Sequence, residues 1–122
     1  MSDNAEIGRL GEDIAVQHLL DNGFEILERG WRSGHLEVDI IARKGNILHI
    51  VEVKCRRNNA QGCDEFAPEF AMNATKRSRL MVAIENYMRE NDFDGEMSLD
   101  LFAVNLTTKG RNIRYYIGVH NA

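Results

Sequence analysis

Two short runs, Glu37-Val38-Asp39-Ile40-Ile41 and Ile50-Val51-Glu52-Val53-Lys54, set four charged side chains inside apolar surroundings on either side of Lys44-Gly45-Asn46. In a strand, residues two apart share a face, so Glu37 goes with Asp39 and Glu52 with Lys54. Register decides whether the two sets meet. A two-residue turn at Gly45-Asn46 pairs Lys44 with Ile47, which brings Asp39 opposite Glu52 and Glu37 opposite Lys54 on one face. A three-residue loop without a bulge puts Asp39 opposite Val51 and sends the sets to opposite faces. The residues themselves leave both registers open. Bare carboxylates that converge repel one another, but they form an oxygen-rich site once a hard divalent cation lies between them.

The chemistry of such a site is specific. Two acidic side chains from adjacent strands suit Mg²⁺, or Mn²⁺ in its place, with water and substrate phosphate oxygens in the remaining positions. An ion held that way stabilises charge developing on a phosphoryl group and lowers the pKa of a water, while a neighbouring lysine orients that water or neutralises the transition state. Asp39 and Glu52 fit the ligand roles and Lys54 the role of the lysine. Glu12, bracketed by apolar residues, is a further candidate ligand if its helix packs on the same sheet face. A bare Glu-x-Lys triplet arises readily from composition, and hairpins often carry exposed Glu and Lys pairs. Here it ends an apolar run, Ile47-Leu48-His49-Ile50-Val51, where uncompensated charge is costly.

The elements that must position these residues are legible from periodicity. Apolar residues Ile7, Leu10, Ile14, Leu19 and Leu20, with Ala15 and Val16, predict a helix over 7–20 that stops at Asn22-Gly23. Strands are predicted over 24–32, 36–43 and 47–54, followed by a loop over 58–66. Pro68 can open a second helix that runs to Glu90, with Ala71, Ala74, Leu80, Met81, Ala83, Ile84, Tyr87 and Met88 as its apolar set. Strands over 98–106 and 112–119 complete the order.

The chain has 122 residues and a formal charge of −4, with 19 acidic against 15 basic side chains. That length and an ordinary apolar content predict one domain over 1–122, folded without a metal or disulfide framework. The net acidity argues against a protein that coats nucleic acid over its whole surface. No apolar stretch is long enough for a bilayer span and the first residues are acidic, which predicts a cytoplasmic protein with no membrane partner. Cys55 and Cys63 form no CxxC, and the four histidines have no ligand spacing, so zinc is not expected. Between Ile40 and Gln61 the only acid is Glu52, whereas Arg43, Lys44, Lys54, Arg56 and Arg57 are basic, and Lys76, Arg77 and Arg79 open the second helix. Arg43, Arg56, Arg57, Lys76 and Arg77 are the candidates for phosphate contacts; a solvated face of ion pairs is the plainer alternative. Trp31 reads as core, Gly8 and Gly11 as close-packing residues of the first helix, and Asp100 as a strand-face acid. Lys54 next to Cys55 would lower the thiol pKa.

The motifs together resemble the bacterial YraN-type family, similar to Holliday-junction resolvases and part of the restriction-endonuclease-like, PD-(D/E)xK superfamily. The matching stretches are Gly8-Arg9-Leu10-Gly11-Glu12 with Ala15 and Leu19, Trp31-Arg32, Glu37-Val38-Asp39-Ile40-Ile41-Ala42, Val51-Glu52-Val53-Lys54 with Arg56, Lys76-Arg77 with Leu80, and Ser98-Leu99-Asp100. The helix acid, the Glu-x-Asp strand and the Glu-x-Lys strand occur in the order of that family. Gly30 stands where asparagine is usual and His35-Leu36 where glycine is common; neither removes a ligand. The resemblance implies an α/β fold with a restriction-endonuclease-like core, a mixed five-stranded sheet flanked by two helices in the order α-β-β-β-α-β-β, and it favours the convergent register. It further implies an Mg²⁺-dependent nuclease acting on DNA, branched or structured substrates included. Asp39, Glu52 and Glu12 would be ligands, Lys54 the catalytic lysine and Glu37 an outer acid. A non-catalytic nucleic-acid-binding or partner-docking module on the same fold is the alternative. A homodimer is the corresponding assembly, because paired strand cuts need two sites.

Overall fold

The computed structural model describes residues 2–57 and 74–119. Its elements are α1 (Ser2–Asp21), β1 (Glu25–Ser33), β2 (Leu36–Lys44), β3 (Ile47–Arg57), α2 (Ala74–Glu90), β4 (Glu96–Thr107) and β5 (Gly110–Tyr116). This is an α/β fold of two helices and a five-stranded mixed sheet, in the order the resemblance implied. The loop expected over 58–66, the helix start expected at Pro68, and Cys63 lie outside the described residues.

The sheet runs β1-β2-β3-β4-β5 in space, with every neighbouring pair antiparallel except β3 with β4. A parallel pair cannot be closed by a tight turn, so the chain crosses over through α2 between these two strands. Each face of the sheet carries its own apolar core. Ile14, Ala15 and Leu19 of α1 pack with Ile40, Ala42, Val51, Phe102 and Val104, whereas Leu80, Ile84 and Tyr87 of α2 pack with Val38, Ile41, Leu48, Ile50 and Leu99.

Helix α1 starts five residues before the apolar periodicity does, and Ala5 and Glu6, just ahead of the first apolar position, are exposed. Two of its expected apolar contacts are corrected as well. Leu10 and Leu20 lie exposed, and the buried stripe is instead Ile7, Gly11, Ile14, Ala15 and Leu19. Gly11 belongs there because a Cβ would collide with Cys55 on β3; Gly8 has open space around it, so only one of the two glycines serves close packing. The helix ends in a Schellman motif, with Phe24 N–H donating to Leu19 O (2.9 Å), Gly23 N–H donating to Leu20 O (3.1 Å), and Gly23 left-handed at φ 87°.

The turn after β2 settles the register that the residues left open. Gly45, at φ 62°, is the first of two loop residues, and Lys44 pairs with Ile47. Pairing then continues through Arg43 with Leu48, Ala42 with His49 and Ile41 with Ile50 to Ile40 with Val51. Up to this point the strand alternates as expected. Beyond it, Val38 joins the α2 core while Ile40, two residues on, joins the α1 core. A regular strand keeps such residues on one face, so the backbone rotates at Asp39. On the neighbouring strand Arg29 pairs with Ile40 and Trp31 with Val38, and Gly30 between them takes φ 64°. The kink is therefore shared by β1 and β2 and centres on Gly30 and Asp39.

Candidate functional site

The kink determines where Asp39 reaches. Instead of extending the ladder to Glu52, its Oδ2 accepts the Val53 N–H at 2.8 Å. The side chain thus holds the edge of β3 at the position where β2 stops pairing with it. Glu52 is on the face of β3 that also carries Leu48 and Ile50, beneath α2, and its Oε2 lies 3.7 Å from Lys54 Nζ. Strand alternation gives Glu52 and Lys54 this common face, as the residue spacing predicted.

Electrostatics bind these groups into one cluster. Burial pushes Asp39 above the ordinary carboxylate range, the Val53 hydrogen bond opposes that shift, Glu37 adds to it, and Lys54 and Lys76 oppose it. Burial and then the Asp39 charge push Glu52 up, again opposed by Lys76 and Lys54. On the α1 side Glu12 is raised by burial and by Asp39, with Arg29 in opposition. Lys76, at the start of α2, therefore acts on the same carboxylates as Lys54, although 22 positions separate the two in sequence.

The expected site residues divide accordingly. Asp39, Glu52 and Lys54 come together, and Glu12, Glu37 and Lys76 lie close enough to act on them by charge. Glu12 has an arginine beside it as well as the Asp39 charge. It is 3.6 Å from Arg29, and among the described residues no three His, Cys, Asp or Glu side chains are gathered closely enough to hold a metal ion. Glu37 pairs across the strands with Arg32 at 3.4 Å. Arg43 lies at the far end of β2, four residues from Asp39, or roughly 13 Å at the usual rise. There its Nε donates to Gly45 O (3.1 Å) and its guanidinium covers Phe93 at 5.0 Å from the ring centroid. Arg56 follows Glu52 and Lys54 along the same face of β3 by alternation, Arg57 ends the strand, and Arg77 is half-buried in the first turn of α2. Cys55 is corrected: burial raises its thiol pKa, with only Arg57 opposing, because alternation turns it toward α1 and away from Lys54.

Two participants had no sequence signal and a third had a weak one. Arg29 binds Glu12 and, at 2.9 Å, Asp13 through a fold contact sixteen residues long. The Val53 N–H is a backbone group. Gly30 is marked only by being a glycine inside a strand, a feature that can signal a bend.

A donor set of two carboxylates fits a hard divalent ion. Among the described residues, the Val53 N–H reaches one Asp39 oxygen and Lys54 lies nearest one Glu52 oxygen. Mg²⁺ commonly takes one or two carboxylates and completes its shell with water and phosphate.

Fold and site together define an α/β protein with two carboxylates and a lysine at the point where an antiparallel strand pair separates. The chain belongs to the Uncharacterised protein family UPF0102, whose pattern matches residues 11–104 and so spans Glu12, Asp39, Glu52, Lys54 and Lys76. It is 36% identical over 116 residues to a UPF0102 protein of Flavobacterium psychrophilum, covering 95% of this chain and 94% of that one. It is 38% identical over 113 residues to a UPF0102 protein of Dictyoglomus turgidum, covering 92% of each. With a UPF0102 protein of Bacteroides thetaiotaomicron the identity is 40% over 105 residues, covering 85% and 83%. No described helix is long and apolar enough to cross a membrane.

Proposed function

We propose that this protein is an Mg²⁺-dependent phosphodiesterase that cleaves DNA, with Mn²⁺ able to replace Mg²⁺. The observation that carries this reading is the grouping of Asp39, fixed on the Val53 N–H, with Glu52 and its partner Lys54. Asp39 and Glu52 would hold the ion. When bound, it supplies charge neutralisation at a phosphate and a lower pKa for water. Lys54, 42% exposed at its side chain while Glu52 is 23% exposed, has the access to solvent needed to orient an attacking water. The Val53 N–H keeps Asp39 from swinging away, so the carboxylate is in place before substrate arrives. Glu12 and Glu37 add negative potential behind the pair and favour cation binding. Lys76, Arg56, Arg57 and Arg77 meet the DNA backbone.

Cleavage of single-stranded, duplex, flapped and four-way DNA in Mg²⁺ tests the reading. Asp39→Ala and Lys54→Ala should each lower the rate at least ~100-fold, as expected when a group stabilising the transition state is removed. Equal cutting by either variant and the wild type overturns the assignment. Salt-sensitive binding without cutting by any of the three would instead make the protein a nucleic-acid-binding module.

A further inference from the structure

Beside the carboxylates lies a cleft of about 900 Å³ between the β1 to β2 turn and the start of α2. Ser33, His35 and Leu36 line one wall, and Thr75, Lys76 and Arg79 the other. Of these, Lys76 is already a candidate for phosphate contacts, and Arg79 belongs to the same basic cluster. Lys76 belongs both to this wall and to the charges acting on Asp39 and Glu52, and Leu36 directly precedes Glu37, which also acts on Asp39. Cleft and carboxylates are therefore adjoining parts of one surface.

The lining is not that of a plain phosphate site. Leu36 offers apolar surface to the flat face of a base, Ser33, His35 and Thr75 offer hydrogen-bonding groups to its edge, and Lys76 and Arg79 offer charge to the flanking phosphates. The cleft is open to solvent along one side, and its volume suffices for a nucleotide. A paired base is stacked inside the double helix and cannot enter such a recess without leaving the stack.

We infer that the cleft receives an unpaired nucleotide next to the phosphate addressed by Asp39 and Glu52, so that the substrate is DNA already unpaired at the point of attack. This rests on the nuclease reading and narrows its substrate to single strands, flaps, gaps and bulges. Intact duplex is disfavoured because a base must first be extruded.

The test compares fluorescence anisotropy of the full chain with a labelled duplex, the same duplex carrying a central bulge, and a single strand, at equal salt and without divalent metal. Unpaired DNA should bind at least ~10-fold more tightly than duplex, the scale set by unstacking a base. Thr75→Trp, on the exposed start of α2, fills the cleft and should reduce that ratio to about one. Ser33→Trp, on the opposite wall, should do the same and serves as the independent variant if either fails to fold. A ratio unchanged in both folded variants, or duplex bound as tightly as bulged DNA by the wild type, overturns the inference. Cleavage assays on the same substrates separate the two ideas. Cutting with no preference for unpaired DNA overturns the cleft assignment alone, and a preference that the tryptophans abolish without any cutting overturns the nuclease reading alone.

Discussion

Two sets of acids on the central strands of one sheet have opposite environments. Asp100, almost fully buried on β4, accepts from His49 Nδ1 (2.7 Å), Ser98 Oγ (2.6 Å), Tyr115 Oη and Gly118 N–H (3.1 Å). Burial alone would raise its pKa, but these donors outweigh it and hold the carboxyl below its ordinary value. Asp39 and Glu52 are less deeply buried, and both are pushed up, by burial and by neighbouring acids. The comparison separates scaffold from site. A carboxylate whose oxygens are satisfied by protein donors has its charge compensated inside the fold. A carboxylate pair pushed up by burial and by each other's charge is one that the proposed cation would stabilise. Asp100 also links β3, β4 and β5 with the segment at Gly118, so its network ties the sheet together, whereas Asp39 and Glu52 each make one local contact, to the Val53 N–H and to Lys54.

The largest expected effect tests the scaffold. Asp100→Ala leaves four buried or half-buried donors without their acceptor and should lower unfolding free energy by about 3–5 kcal/mol, read from urea unfolding. A loss under about 1 kcal/mol would mean that the network is replaced by water and that the contrast fails. Next comes the site. Millimolar Mg²⁺ should raise the melting temperature of the wild type, because a ligand that binds only the native state stabilises it, and Glu52→Gln should abolish that rise. A Mg²⁺ shift that survives in Glu52→Gln places the ion elsewhere.

The pH dependence should then show both regions with opposite sign. A carboxyl raised on folding destabilises the native state once pH exceeds its ordinary value, and that penalty is relieved as pH falls back through the raised pKa. Without metal, wild-type stability should therefore increase slightly on acidification from neutrality toward the carboxylate range, and this limb should shrink in Glu52→Gln. The contribution of Asp100 runs the other way: it is present above the ordinary aspartate value and lost as pH falls through its lowered pKa, which steepens acid unfolding. A profile without the first limb, measured by thermal melts, would show that the Asp39 and Glu52 charges are already compensated. The smallest effect is Tyr87→Phe, which removes the bond from Tyr87 Oη to Glu28 (3.2 Å) but keeps the edge-on ring contact with Trp31 at 5.3 Å. It should cost about 0.5–1 kcal/mol and leave the metal response intact.

Most of the fold was legible because it depends on local chemistry. The period of the apolar residues marked both helices, alternation marked the strands, and Asn22-Gly23 and Gly45-Asn46 marked two reversals. The site was legible as a set of residue types, since carboxylates and a lysine at the end of an apolar run conflict with burial unless they have another use. The contribution of α2 was partly legible, through the basic cluster at its start, but not that Lys76 would stand over the acids of the hairpin.

Sequence by itself thus determined the order of elements, the identity of the paired carboxylates and the lysine beside them. Tertiary structure alone decided three things. It chose the two-residue turn, because only the Gly45 backbone conformation distinguishes the registers. It rotated Asp39 out of the ladder and onto the Val53 N–H, through a kink shared with Gly30 on another strand. It divided the acids, giving Asp100 four donors from β3, β4, β5 and the Gly118 segment, Glu12 an arginine from β1, and Asp39 and Glu52 a burial that outweighs the charges of Lys54 and Lys76. These outcomes depend on which distant groups share a few ångströms of space. Local periodicity carries no information about that, because a side chain's charge state is set by its surroundings and not by its neighbours in the chain.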